Sequence, residues 1–581
     1  MLGILLHIGG CGGGDSSGTP AAPTAPTYSI SANVSGLTGS GLEVSLNGGT
    51  PVSVTSNGVT QLGSGLANAT QYSVSVVKSP INPSETCTVT NGAGQINGAN
   101  VTVDIACAAT GTQPTSGSPI LFQHIATSTN PAGASWPEGT NFVLHTEALP
   151  ANATVVLGVT APHGTSVSIS DTLVGSWAAA TCTADAGSGN YLATVFVQNV
   201  GSAGGADTIT INVGSTPVEP VQAVISVFEN IATSSAGSGS NCVGHITPSS
   251  SGLIDPGSFT PTSNSLGNLI WNYTALCSQQ NGTTNPSNWT AASSFSLLNA
   301  ETIWKTANGF PDASQYYYQA TDAAVDPSLT ATGENASGNC YNSASVALKV
   351  ADNGSTAPSS IHVLRIINES FIGFPSPGSL TFDSPTTGNL RVVATPWPDG
   401  MPLGPNNIAE LTGVSWSDGC AATKLGPINN GSVTWYSANC LPCPACTLTL
   451  TFSGSQDVTQ SSFRVYDVEN AQATQSPTTA GNQTSCNSIA TDAPSITPAA
   501  SSGLAIASIG SNNYQITGLG AGSPSGAVFD LWYYDGETEY DLSTNADGVA
   551  HYYLSSDATQ NWNWSKVSGT DTCYYLAAIF Q

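Results

Sequence analysis

Tyr28-Ser29-Ile30-Ser31-Ala32-Asn33-Val34 alternates at period two, as do Tyr72-Ser73-Val74-Ser75-Val76 and Val101-Thr102-Val103-Asp104-Ile105. That period lines one face of a strand with apolar side chains. Between these runs stand Asn47-Gly48-Gly49, Asn57-Gly58 and Asn91-Gly92, pairs that accept the positive φ of tight hairpin turns. Residues 28–109 therefore read as a small antiparallel β-sandwich. Cys87 and Cys107 fall on its last two strands and are expected to pair, a loop closure worth on the order of 3 kcal/mol in the chain-entropy view.

The whole chain follows the same diet. Of 581 residues only 7% are Asp, Glu, Lys or Arg, against about 25% in ordinary soluble domains. Lys plus Arg number 8 and Asp plus Glu 35, a net charge of −27, while Gly (62) and Pro (35) are abundant. So few cations exclude a nucleic-acid partner, since phosphate binding needs clustered Lys and Arg, and they disfavour an anionic membrane surface. The Ser, Thr, Asn and Val that fill the rest suit strands and turns better than helices. One short helix is expected at Phe295–Thr306, where Phe295, Leu298 and Trp304 could share a face.

Residues 1–11 open with the apolar run Met1–Ile8 and close on Ile8-Gly9-Gly10-Cys11. The run is too short to span a bilayer. It resembles a bacterial lipoprotein signal peptide with its lipobox, which implies lipidation of Cys11 and a membrane contact made only through that anchor. Residues 12–27 are a Gly/Ser/Thr/Pro linker; their Gly14-Asp15-Ser16-Ser17-Gly18 lacks the strand and helix that a nucleophile elbow needs. In residues 28–109, Ser35-Gly36-Leu37-Thr38, Pro83-Ser84-Glu85-Thr86-Cys87-Thr88-Val89 and Gly98-Ala99-Asn100-Val101-Thr102 with a closing Cys107 resemble the small β-sandwich modules near the N-terminus of large bacterial surface proteins. The resemblance implies a spacer or presentation domain without catalytic residues.

After a linker at 110–118 the chain matches itself. Ile120–Ser128 parallels His362–Ser370, Asp207–Val213 parallels Thr447–Phe452, and Val227-Phe228-Glu229-Asn230 parallels Asp467-Val468-Glu469-Asn470. Tyr316-Tyr317-Tyr318 likewise parallels His551-Tyr552-Tyr553. Residues 119–356 and 357–581 therefore read as two copies of one unit of about 230 residues. The fold class expected is all-β: tandem β-sandwich or jelly-roll-like units after the small sandwich. Each copy resembles the concanavalin-like lectin architecture in size, with two Ig-like sandwiches per copy as the alternative.

The chain has 13 Cys; with Cys11 given to lipid an even number remains, which in an exported protein reads as a disulfide set. Cys242 aligns with Cys486 and Cys340 with Cys573, so equivalent bonds Cys242–Cys340 and Cys486–Cys573 are expected. Cys182–Cys277, Cys420–Cys440 and Cys443–Cys446 complete the set. Cys443-Pro444-Ala445-Cys446 has the spacing of a zinc knuckle or a redox pair, but no second knuckle or His lies near and a β run follows it.

Glu537-Thr538-Glu539-Tyr540-Asp541 comes closest to catalytic chemistry. On a strand its three carboxylates share a face, as a retaining glycosidase requires of its two, and some glycosidases of the concanavalin-like fold resemble it in this spacing. The alternatives are a solvated edge and a Ca²⁺ site at Asp535 and Glu537. Trp532, Trp562 and Trp564 could stack on sugar rings or fill the core. The seven His stand singly and form no ligand motif; no organic cofactor is implied. The functional expectation is a non-enzymatic, lipid-tethered surface protein with a structural, adhesive or glycan-binding role, meeting an extracellular glycan or surface protein. A polysaccharide hydrolase and a self-assembling layer or filament subunit are the rivals.

Overall fold

A computed structural model describes residues 26–37, 42–78, 85–109, 118–128, 141–187, 191–214, 222–233, 238–278, 288–300, 311–332, 339–374, 378–397, 410–425, 433–453, 458–473, 475, 477–485, 495–511, 516–530, 533–535, 546–566 and 572–581. Among them every regular element is a strand. The chain divides into two compact units, Met1–Gln113 and Pro114–Gln581.

In the first unit, one sheet has the order Gly58–Leu66, Tyr28–Ser35, Val101–Ala109, Glu85–Thr90, and the other Val52–Val54, Leu42–Leu46, Gln71–Lys78, Ala93–Gln95. Tyr28–Ser35 is antiparallel to Gly58–Leu66 but parallel to Val101–Ala109. The inward side chains Ile30, Ala32, Val34, Val103 and Ile105 of the first sheet share a core with Leu42, Val44, Val54 and Val74 of the second, each large aliphatic worth about 1.5–3 kcal/mol of burial. Cys87 stands opposite Cys107 in register and is bonded to it. Gly36 takes φ +74°, where a Cβ would lie 2.1 Å from the Cys107 carbonyl oxygen, so only glycine lets the chain turn this close to the closing strand.

The second unit is organised on a ten-stranded sheet. Its order is Cys182–Asp185, Tyr191–Asn199, Thr154–Pro162, Gln222–Glu229, Ile120–Ser128, His362–Phe374, Val458–Glu469, Leu390–Trp397, Val433–Ala438 and Thr423–Leu425. All neighbours are antiparallel except at the centre, where Ile120–Ser128 runs parallel to His362–Phe374 with His124 opposite Arg365 and Ile125 opposite Ile366. Strands covered on both faces read as continuous buried runs; Gln222–Glu229 is buried at every position.

Two layers cover the first half of this sheet. Val155, Leu157 and Val159 meet Leu144, Ile209 and Ile211 of the sheet Val167–Ser170, Gly205–Val213, Asn141–Leu149, Tyr533–Asp535. On the opposite face, Val156, Val224 and Phe228 meet Trp271, Tyr273 and Leu348 of the sheet Gly239–Ile246, Cys340–Lys349, Asn268–Ser278, Asp312–Gln319, Ser296–Ala300. A Cβ on Gly158 would lie 2.9 Å from Trp271 and Tyr273, so a bare backbone lets these layers close. In the second half, Val393, Phe463 and Val465 pack on Leu448, Leu450 and Phe452, while Val392, Tyr466 and Val468 pack on Leu504, Ile506 and Phe580.

Two expectations are corrected. Within Phe295–Thr306, Ser296–Ala300 is a strand paired with Asp312–Gln319, while residues 301–310 lie outside the described residues. Sheet pairing and the burial of Leu297 and Leu298 override a weak helical pattern. The disulfides are Cys182–Cys242 and Cys277–Cys340, not Cys242–Cys340 and Cys182–Cys277. Register forbids the latter set: Cys242 stands opposite Ala344, whereas Cys340 stands opposite Ser278, next to Cys277. Cys420 is bonded to Cys440 and Cys443 to Cys446. Cys573 is disulfide-bonded; Cys486 lies outside the described residues.

Candidate functional site

Of the two alternatives for Trp562 and Trp564, sugar stacking or core, their burial gives the core: they are 1% and 3% exposed, stacked on each other at 6.4 Å, and packed with Phe529 and Ile579. Their indoles fill the core between layers, the usual fate of a strand-borne Trp. Cys11, Trp532, Glu537, Glu539 and Asp541 lie outside the described residues. Asp535 ends the strand Tyr533–Asp535, whose backbone pairs with Asn141–Val143; its side chain is outside the description.

Among the described residues, a buried group of ionisable side chains inside the second unit joins residues distant in sequence. His551, on Ala546–Leu554, is fully buried. Its Nδ1 lies 2.8 Å from both carboxylate oxygens of Asp530, and its Nε2 lies 3.1 Å from Oε1 of Glu147. Burial by itself depresses the imidazole, but Asp530 and then Glu147 more than reverse this and push it up to about 10. His551 is therefore an imidazolium held between two carboxylates, and both ring nitrogens donate.

Each carboxylate has further partners. Tyr466 donates its hydroxyl to Asp530 at 2.7 Å, and Arg464 donates Nε to the Asp530 carbonyl at 3.0 Å. Tyr553 donates to Glu147 at 2.7 Å and accepts from the Val363 amide at 2.7 Å. His362 Nδ1 lies 3.7 Å from Glu147 Oε2, and its Nε2 meets the Phe122 carbonyl at 2.5 Å. Burial, followed by the adjacent acids, holds both tyrosine hydroxyls well above their ordinary range, so they remain protonated donors.

A second buried group follows the central joint. Arg365 Nη1 donates to Asp467 at 2.6 Å and to Thr387 Oγ1 at 3.1 Å, while Asp467 also accepts the amides of Thr387 and Gly388. Across the joint, His124 Nδ1 meets Ser226 Oγ at 2.9 Å, which also accepts the Trp271 indole N–H. Burial first, and then the Arg365 charge, push His124 down to about 3, so it is neutral.

These geometries hold protons rather than move them. A general base needs a free nitrogen within reach of a substrate, and His551 offers neither a free nitrogen nor an exposed edge. Buried charges survive only when paired and hydrogen-bonded, which these are. Among the described residues, two triplets have cation-ligating atoms within 4.8 Å of one another, His245/Cys277/Cys340 and Asp418/Cys443/Cys446. In both, the cysteines are bonded to each other and supply no thiolate for a metal.

In the sequence His362 and His551 stand alone; the fold brings both to the Glu147 carboxylate. One signal was present. The chain has three arginines, Arg365, Arg391 and Arg464, each inside an apolar strand pattern, and all three are buried. An arginine in such a pattern demands an acidic partner. The chain matches no protein-family model, no curated protein and no solved structure.

Proposed function

We propose that the chain is a non-enzymatic bacterial surface protein, tethered through Cys11 and built from tandem β-sandwiches, with a structural, adhesive or glycan-binding role. The observation that carries this reading is the ten-stranded sheet, in which strands of 120–229 and of 362–469 form one layer. From the parallel joint outward, both sides use their strands in the same sequence order, the first, the last, the second, then a hairpin back to the edge. The bonds His124–Ser226 and Arg365–Asp467 each span 102 residues, and these four residues flank the joint at matching places. We read the two sides as copies of one unit, each with sandwich layers on both faces of the shared sheet.

A body of this kind suits load and presentation. The two ionisable clusters described above are turned inward and hold layers together, and the disulfides suit an oxidising compartment. Low charge density with a net negative charge keeps such a body soluble without drawing polyanions.

The test uses the full chain on intact producing cells. Fatty-acid labelling at Cys11, lost in Cys11→Ser, together with cleavage by added protease, is the expected result. The purified chain with its disulfides formed should release no reducing sugar from insoluble polysaccharides, whether or not one of them depletes it from solution. A cytosolic chain with free thiols would overturn the reading. So would sugar release abolished by Glu537→Gln.

A further inference from the structure

We propose that Cys443-Pro444-Ala445-Cys446 is a thiol–disulfide exchange site whose partner is a dithiol on an exported polypeptide. The bond closes a loop of sequence separation 3. Breaking it therefore releases far less chain than breaking the bonds of separation 20, 60 and 63 elsewhere. Its two sulfurs differ in access. Cys443 is half-buried and Cys446 is 0% exposed, so an incoming thiolate reaches Cys443 and Cys446 is the leaving group.

The leaving sulfur has a cation beside it. Arg391 Nη1 lies 3.7 Å from Cys446 Sγ. The guanidinium is fixed by Asp418 at 3.1 and 2.6 Å, by the Leu441 carbonyl at 2.7 Å, and by the Trp416 ring 4.7 Å beneath it. A thiolate next to a guanidinium leaves more readily than one without such a partner. Asp418 works in the opposite direction, since its carboxylate is within 4.8 Å of both sulfurs. Arg391, which donates to the Asp418 carboxylate and to Cys446 Sγ, offsets it and also disfavours a divalent cation at the same sulfurs.

The surroundings favour a polypeptide. Leu441, Pro442, Pro444 and Ala445 are all exposed around Cys443, and Leu441 at 38% is among the few large apolar side chains so placed. This gives the reactive sulfur an apolar lip that an extended chain could cover. The backbone is held from beneath: Cys443 and Thr386 exchange amide–carbonyl bonds, and Ser384 donates to the Cys446 carbonyl.

In the reaction, a partner thiolate attacks Cys443 Sγ, the Cys443–Cys446 bond breaks, and its electron pair leaves on Cys446 Sγ beside Arg391. The partner's second thiol, as its thiolate, then attacks the mixed disulfide and expels Cys443. The partner dithiol is oxidised to a disulfide, giving up two electrons and two protons, and Cys443 and Cys446 become thiols. The chemistry does not depend on where the chain resides, so failure of the lipid tether leaves this test intact.

The experiment uses the full chain with its disulfides formed, exposed to low concentrations of a two-cysteine model peptide or of glutathione and trapped by alkylation for peptide mapping. Cys443 and Cys446 should be trapped at least about ten times faster than any other pair, and the peptide should outpace glutathione. In Cys446→Ser, Cys443 should form a mixed disulfide with an aromatic disulfide probe at least about ten times faster than Cys446 does in Cys443→Ser. Reduction of this pair no sooner than the others, or equal reactivity of the two single thiols, overturns the site. Equal rates for peptide and glutathione overturn the polypeptide partner.

Discussion

His551 makes the stability of the second unit depend on alkaline pH with a definite sign. The imidazole has an ordinary value of 6.5 and is pushed up to about 10 in the fold, so the folded state binds a proton that the unfolded state releases. Its stabilisation is fully present below about pH 6.5 and is lost as pH rises through about 10. The groups facing it are Asp530 and Glu147 at its two nitrogens, Tyr466 and Tyr553 against its ring, His362 3.7 Å from Glu147, and Arg464 on the backbone carbonyl of Asp530. The folding equilibrium should shift about tenfold per pH unit inside the window, roughly 3 kcal/mol between pH 6.5 and 9. Urea unfolding followed by tryptophan fluorescence, at fixed ionic strength across that range, measures it through the midpoint. Glu147→Gln keeps an acceptor for Tyr553 but removes one of the two carboxylates that raise the imidazole, so its alkaline limb should shorten. A midpoint independent of pH over this range, or a Glu147→Gln slope equal to that of the parent, would refute the assignment of a protonated His551.

His124 gives the opposite limb. Held at about 3 against 6.5 when unfolded, it contributes stability that is present above pH 6.5 and lost as pH falls toward 3; His124→Asn should flatten that limb in the same urea series. Asp467→Asn leaves Arg365 buried without its charge partner and should cost about 3–5 kcal/mol, read by the same assay, whereas Arg365→Met with Asp467→Leu should cost less. Gly158→Ala forces a methyl into Trp271 and Tyr273 and should cost about 1–3 kcal/mol, with a shift of the tryptophan emission. Replacing Cys182 and Cys242 together by Ser removes a cross-link spanning 60 residues and should lower stability by about 4 kcal/mol; no change in the unfolding midpoint would contradict it.

Much of the cysteine pattern was open to local reasoning, and the part that was not shows why. Cys87 and Cys107 stand on antiparallel neighbouring strands only 20 residues apart in sequence, so a local pairing brings them together. Cys182 lies on the edge strand of the large sheet and Cys242 on the edge of the layer covering it, and which edges meet is decided by the stacking of layers. Aligning Cys242 with Cys486 carries no information about which neighbour either position faces. Trp562 and Trp564 were ambiguous for a similar reason. Alternation places a side chain on one face of a strand, and only the next layer determines whether that face is wet.

The sequence by itself determined the class of structure. Period-two alternation, Asn-Gly turns and the scarcity of charge specify strands through backbone stereochemistry and one-sided burial, both of which act over a few residues. The tertiary structure decided the rest: the parallel joint between Ile120–Ser128 and His362–Phe374, and the meeting of Glu147, Asp530, His362 and His551. Glu147, His362 and the Asp530–His551 pair lie at three places in the chain, each more than a hundred positions from the next. Their ionisation is set by desolvation and by charges a few ångströms away, quantities that do not exist until the layers have closed.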